Sequence, residues 1–260
     1  MAAPILKAPA EIEAMRRAGR LVAQALRRVE EMIAPGVTTG EIDAEVERVL
    51  LEGGGTPLFA GYPSSTAGVP PFPASICASV NEEVVHGIPG PRPLRLGDIL
   101  SVDVGVRFAG FCGDAARTFA VGETSRKASR LLEVTEECLR RAIGLARPGV
   151  RLMRISAAIQ EHAEANGFSV VRKFVGHGIG RQMHEPPQVP NYVSRQLSDG
   201  DWILQSGAVL AIEPMVNAGA ADVRVQRNGW TVTTKDRSLS AHFEHTVAIT
   251  ERGPAILTEL

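Results

Sequence analysis

Four acidic residues stand inside segments that otherwise read as buried strand. Asp103 interrupts the alternating run Leu100-Ser101-Val102-Asp103-Val104-Gly105-Val106, and Asp114 lies in the strand-like stretch 111–121 that follows it. Glu213 closes the apolar run Ala208-Val209-Leu210-Ala211-Ile212 just before Pro214, and Glu244 sits within His242-Phe243-Glu244-His245-Thr246-Val247-Ala248-Ile249. A carboxylate buried without a partner is costly, so each needs solvent, a cation or a proton. Solvated acids on an open sheet face, or separate ion pairs with Lys or Arg, would satisfy them. These segments offer no obvious basic partner, and four such acids favour one shared divalent-metal cluster. Histidine supplies the other ligand type. His177 is surrounded by Gly176, Gly178 and Gly180, His184 follows in His184-Glu185-Pro186-Pro187, and His86 lies in Asn81-Glu82-Glu83-Val84-Val85-His86. Their spacing fits no short zinc motif such as HExxH, and spacing alone leaves each open between ligand and hydrogen-bonded structural residue.

The elements that must position these groups are legible from periodicity. Ile12, Met15, Val22, Leu26, Val29 and Ile33 line one face of a helix over residues 11–33, which Pro35-Gly36 ends. Thr38-Thr39-Gly40-Glu41 reads as a capping box opening a second helix to about Leu51. A turn-rich stretch over 53–73 precedes strand signals near 75–80, 99–107 and 111–121. The order then repeats: a helix over 125–146, a break at Pro148-Gly149-Val150, a helix over 152–165, and strands at 170–176, 207–213, 229–233 and 242–249. Pro35-Gly36-Val37 is the matching break of the first half. The pattern predicts an α+β domain of two pseudo-repeated halves with hairpin-like strands and no βαβ units. A turn centred between Phe108 and Ala109 would set Asp103 directly opposite Asp114 on the resulting hairpin.

Bulk properties narrow the functional class. Lys plus Arg number 28 against 29 Asp plus Glu, a balance that gives no electrostatic reason to expect nucleic acid or an anionic membrane as partner. Cys77, Cys112 and Cys138 lie far apart with no CxxC, which fits a reducing, cytoplasmic compartment better than a disulfide scaffold. No apolar run approaches the length needed to span a bilayer. The expectation is a single catalytic unit over 1–260, with no N-terminal zinc finger or further domain.

The segments KAPAEIEAMRRAG (7–19), NEEVVHGIP (81–89), GDILSVDVGV (97–106), GFCGDAARTF (110–119), GHGIGRQMHEPP (176–187), AIEPMV (211–216) and GWTVTTKDRSLSAHFEHTVAIT (229–250) resemble, in this order and almost end to end, the type I methionine aminopeptidases. That resemblance implies the pita-bread fold, with helices outside a curved antiparallel sheet. It implies two divalent cations (Co, Mn, Fe or Zn), with Asp103 on the second, His177 and Glu213 on the first, and Asp114 and Glu244 shared between them. It further implies that His184 contacts the scissile carbonyl, that His86 hydrogen-bonds the scissile amide or leaving group, and that Glu213 shuttles protons. Tyr62, Phe72, Cys77, Phe174, Met183 and Trp230 would wall the methionine pocket; ordinary core packing is the alternative for each, and for Cys77 the two readings weigh about evenly. The implied substrate is the N-terminal methionine of nascent peptides, with transient proximity to ribosomes, no nucleic-acid or membrane partner, and a monomeric enzyme.

Three features depart from the family pattern. Nine residues, Pro63 to Pro71, separate Tyr62 from Phe72, where the family usually keeps the two much closer. This Pro/Ser/Gly-rich insertion reads as a flap beside the pocket or a plain surface loop, and it puts the assignment of Tyr62 at issue. Val85 replaces a common cysteine, and Met183 replaces a common phenylalanine. Rival readings are a prolidase or aminopeptidase P on the same fold, and a non-catalytic pita-bread module that binds nucleic acid or protein.

Overall fold

The computed structural model describes residues 4–194 and 201–260. In the first half, α1 (Pro9–Met32) and α2 (Thr39–Glu52) precede β1 (Thr56–Pro57), β2 (Cys77–Val80), β3 (Glu83–Val85), β4 (Ile99–Phe108) and β5 (Phe111–Ala120). The second half opens in the same way with α3 (Arg126–Leu145) and α4 (Leu152–Ala165). Then come β6 (Ser169–Val170), β7 (Gly176–Gly178), β8 (Glu185–Val189), β9 (Val209–Ile212), β10 (Met215–Asn217) and β11 (Val223–Val225). The chain closes with β12 (Val232–Thr234), β13 (Ser240–His242), β14 (His245–Thr250) and β15 (Gly253–Ile256). The repeated helix pair therefore stands as the sequence predicts. At the start of α2 the capping box forms in full: Thr38 Oγ1 accepts from the Glu41 N–H, and Glu41 accepts from the Thr38 N–H.

Every described strand pair is antiparallel, which fits α+β. One sheet has β4 at its centre, paired with β5 along one edge and with β2 and β1 in turn along the other, and a second runs β15-β14-β9-β7-β8. Leu100, Val102, Val104 and Val106 point to one side of β4 and pack with Ala18, Val22, Ala25 and Val29 of α1. In the second half, Leu131, Val134, Cys138 and Ala142 of α3 pack with Leu210, Ile212, Val247 and Ile249. Both helix layers thus cover one side of the sheets. Asp103, on the other side of β4, is left facing away from them.

The β4–β5 register corrects the expected pairing of the aspartates. Phe108 pairs with Phe111, so the turn residues are Ala109 and Gly110, both at positive φ (49° and 82°), as a tight two-residue hairpin requires. Asp103 consequently pairs with Ala116 and Asp114 with Gly105. Moving the turn centre by one residue shifts each partner by two, which preserves the face. The two aspartates are diagonal neighbours on the same side of the sheet, not direct partners.

Two strands expected to be continuous are broken, and the breaks matter for the site. The run 170–176 divides into β6, paired with β10, and β7, paired with β8 and β9, so the chain passes from one sheet to another. The run 242–249 breaks at Phe243-Glu244, opposite the expected end of 207–213 at Glu213-Pro214. Met215 pairs with His242 and Ile212 with His245, an unchanged register that sets Glu213 against Glu244 across the gap. Pro214 has no N–H to give the ladder, and the Glu244 N–H is diverted to the Ala116 carbonyl of β5 at 2.8 Å. Threonines clasp the halves on either side of that bond. Thr246 Oγ1 holds both the N–H and the carbonyl of Asp114, at 3.1 and 2.7 Å, and Thr118 Oγ1 does the same for His242, at 2.9 and 2.8 Å. All four acids are thereby brought to the seam between the halves.

Candidate metal centre and active site

The acids meet in a cavity of about 660 Å³ that is lined by Asp103, Asp114, His177, Glu213 and Glu244 together with His86, His184 and an apolar wall. One oxygen each of Asp114 and Glu244 and a ring nitrogen of His177 lie within 4.8 Å of one another. His177 Nε2 is 3.7 Å from Glu213 Oε1 and 4.0 Å from Asp114 Oδ2. Among the described residues no Lys or Arg forms an ion pair with any of the four acids; their only basic neighbours are histidines. Asp103 Oδ1, Asp114 Oδ1 and Glu244 Oε1 are buried without a hydrogen-bond partner. The ion pairs with Lys or Arg weighed from sequence are therefore absent among the described residues, and a cation, a proton or cavity water must take their place.

Electrostatics says the same. Burial raises Asp103 to about 7 and Glu213 to about 8. Burial also holds Asp114 and Glu244 well above the usual carboxylate range, reinforced for Asp114 by Asp103 and Glu213, and for Glu244 by Asp114, Glu213 and Asp103. A divalent cation reverses this balance, making each charged form favourable. The donor set fits one: hard carboxylate oxygens with a single imidazole suit Mn, Fe, Co or Zn, and no thiolate is among them. His177 is also in the right form. Its ring Nδ1 lies 2.9 Å from the Gly178 carbonyl, a bond that requires Nδ1–H and leaves the Nε2 lone pair facing the acids. Burial, then the neighbouring His184 ring, lowers its pKa to about 3, so the imidazole is neutral and able to ligate.

The two auxiliary histidines flank this cluster. The His184 ring centroid is 4.3 Å from that of His177, and its Nδ1 meets the Tyr62 hydroxyl at 2.8 Å. His86 follows β3 at a positive φ of 58°, with its ring against Phe174 at 5.5 Å and Trp230 at 6.4 Å. Burial, then His242 and His184, lowers it to about 4. Beyond the acids, Phe59, Phe72, Cys77 and Met183 form a separate apolar cluster, joined by Tyr62 and Trp230. Phe72 packs edge-on against both Phe59 (6.5 Å) and Trp230 (5.2 Å). Tyr62 lies in this wall despite the insertion, because the Phe72 N–H donates to the Tyr62 carbonyl at 2.9 Å and returns the loop to its origin. Phe174 contacts His86 and packs in a neighbouring apolar group with Val84 and Met215, outside the cavity lining.

Two residues at the site are missing from the sequence reading. Phe59 lies in the turn-rich stretch, where periodicity carries no signal. His242 is 2% exposed, and its unpartnered Nε2 stands 3.5 Å from Glu213 Oε2. Glu213 thus sits between two imidazoles, His177 and His242. The signal for His242 was present: it lies two residues before Glu244 in the same extended run.

Residues 13–251 match metallopeptidase family M24. The chain belongs to that family. The M24 chain is 49% identical over 254 residues to the methionine aminopeptidase of Clostridium perfringens (strain 13 / Type A), the match covering 98% of each. It is 48% identical over 256 residues to methionine aminopeptidase 1 of Bacillus subtilis (strain 168), covering 98% of this chain and 99% of the relative. Among solved structures, the methionine aminopeptidase of Thermotoga maritima superposes with a TM-score of 0.93 at 45% identity, over 99% of this chain and all of that one. The prolidase of Pyrococcus furiosus shares the fold at a TM-score of 0.76 and 22% identity, and the M24 chain spans 66% of it. The pita-bread expectation is met.

Proposed function

We propose that this M24 chain removes the N-terminal methionine from peptides whose second residue is small. The observation that carries the reading is the single cavity in which the acid cluster adjoins a soft aromatic pocket, in a chain matched end to end by methionine aminopeptidases. Asp103, Asp114, His177, Glu213 and Glu244 are the groups that would hold two divalent cations. When bound, such a pair supplies a water nucleophile at neutral pH and Lewis acidity toward the scissile carbonyl and the free α-amine.

The chain's own residues do the rest. Phe59, Phe72, Cys77 and Met183 offer the unbranched thioether side chain polarizable walls. The Tyr62 hydroxyl bonds His184 Nδ1; with Tyr62 as donor the ring proton stands on Nε2, the tautomer that can donate to the carbonyl oxygen as negative charge develops there. His86, neutral at physiological pH, holds the scissile amide and then the leaving amine. Glu213 accepts a proton from the attacking water and returns it to that amine. No described helix is long and apolar enough to cross a membrane, and the chain is proposed to act as a monomer in the cytoplasm on nascent chains. A prolidase reading is not favoured, since that likeness is one of fold alone.

Peptides differing only in their first residue test the pocket. Methionine and its straight-chain isostere norleucine should both be released, with alanine slower by two orders of magnitude or so for the lost side-chain burial. Equal turnover of Ala- and Met-peptides would overturn the reading. Tyr62→Phe tests the orienting bond. Losing about 1 kcal/mol of hydrogen bonding should lower kcat by roughly five- to tenfold with little change in KM. An unchanged kcat would remove Tyr62 from the mechanism.

A further inference from the structure

The insertion Pro63 to Pro71 is built into the cavity wall. Its base is closed by two backbone bonds, Phe72 N–H to Tyr62 carbonyl (2.9 Å) and Gly61 N–H to Phe72 carbonyl (2.8 Å). Its far side docks on the turn that precedes β12. Trp230 Nε1–H donates to the Pro70 carbonyl at 2.9 Å, and the Val69 side chain lies so close to Gly229 that a Cβ there would meet its Cγ2 at 2.5 Å. Three prolines, Pro63, Pro70 and Pro71, fix φ along the segment and limit the shapes open to it. Between these anchors Pro63 and Ser65 face the cavity that also holds the acid cluster.

The two feet of this strap stand beside His184 and His86, the two histidines proposed above to act on the scissile bond. Tyr62, at one foot, is bonded to His184. Trp230, under the other, packs against His86 with ring centroids 6.4 Å apart. With His86 and His184 in the roles proposed above, a span between them would overlie the peptide beyond the scissile bond, the place of the substrate's second residue. We propose that residues 63–71 form a fixed strap that sets second-residue selectivity, narrowing acceptance among Met-peptides to the smallest side chains. This rests on the methionine-releasing activity proposed above. A wall made of pinned backbone excludes extra methyl groups by overlap, and discrimination of one or two such groups is on the order of tenfold to a few hundredfold.

The test is kcat/KM of the metal-loaded protein on Met-Gly-, Met-Ala-, Met-Val- and Met-Leu- tripeptides. In one variant, Ser64 to Pro70 are replaced by two glycines, leaving Tyr62 and Phe72 paired across a four-residue loop. In a second, Val69→Asp undocks the strap from Gly229 with the chain at full length. The shortened strap should raise the Met-Val to Met-Gly ratio by about tenfold or more, with Met-Leu rising too, and Val69→Asp should move it the same way by less. Ser65→Trp should lower it. Ratios that stay at the parental value in Val69→Asp and in whichever shortened protein folds would overturn the inference. If the parental protein cleaves no Met-peptide at all, the functional reading fails; if it cleaves Met-Gly and the ratios stay fixed, only the strap inference fails.

Discussion

Asp114→Asn protein folds, melts at a higher temperature than the parental protein when both are metal-free, and releases methionine at least on the order of a thousandfold more slowly. The three outcomes have one cause. Asp114 is 2% exposed, its Oδ1 has no partner, and Asp103, Glu213 and Glu244 crowd the same space. Without a cation the buried group must either take up a proton or carry an uncompensated charge, so a neutral amide of the same shape relieves the fold. With a cation, the same charge is what the proposed site offers it, so the substitution weakens metal binding. The backbone at this position is secured independently by Thr246, so the substitution leaves the seam between the halves in place. Melting curves of the stripped proteins and steady-state rates of the reconstituted ones check the result. Near-parental turnover would remove Asp114 from the centre.

Stripping the metal lowers stability most at alkaline pH. Asp103 rises from an ordinary 3.8 to about 7 and Glu213 from 4.5 to about 8, both through burial. Groups with a raised folded-state pKa keep their proton in the folded protein after the unfolded chain has lost it. Their contribution is whole below about pH 4 and disappears as pH rises through about 8. For each proton so retained, the metal-free protein loses about 1.4 kcal/mol per pH unit within that window. The loaded protein behaves oppositely, because deprotonated ligands bind cations more tightly. At a thousandfold excess of metal over its dissociation constant, binding adds about 4 kcal/mol. That corresponds to a Tm gap of roughly 10 °C near pH 8, narrowing toward pH 5. Superimposable melting curves with and without metal at the higher pH would contradict the assignment of these acids as ligands.

How much of this was readable in advance differs from element to element. The helices were, because Met15, Val22, Leu26 and Val29 mark a face that needs no partner to be recognised. The acids were legible for the opposite reason: Asp103 between Val102 and Val104 violates its surroundings. Their mutual geometry was not. Ala109 adopts a left-handed conformation that nothing in its side chain announces, and so the turn lay one residue further on than expected. The breaks beside Glu213 and Glu244 depend on the diverted bond to Ala116, a residue more than a hundred positions away in the other half. Local patterns cannot contain such a contact. His242 had a readable position but a quiet chemical context, since a histidine in a β-run is ordinarily core. Tyr62 was placed in question by the insertion, and the loop's closure on Phe72 decided where its ring lies.

The most direct test is release of the first residue from a Met-Gly peptide and from an Xaa-Pro dipeptide by the reconstituted protein, each with and without a chelator. Methionine released from the first alone, abolished by chelator and restored by divalent metal, is the predicted result. Cleavage of the Xaa-Pro bond alone, or silence on both by protein with metal demonstrably bound, would contradict it.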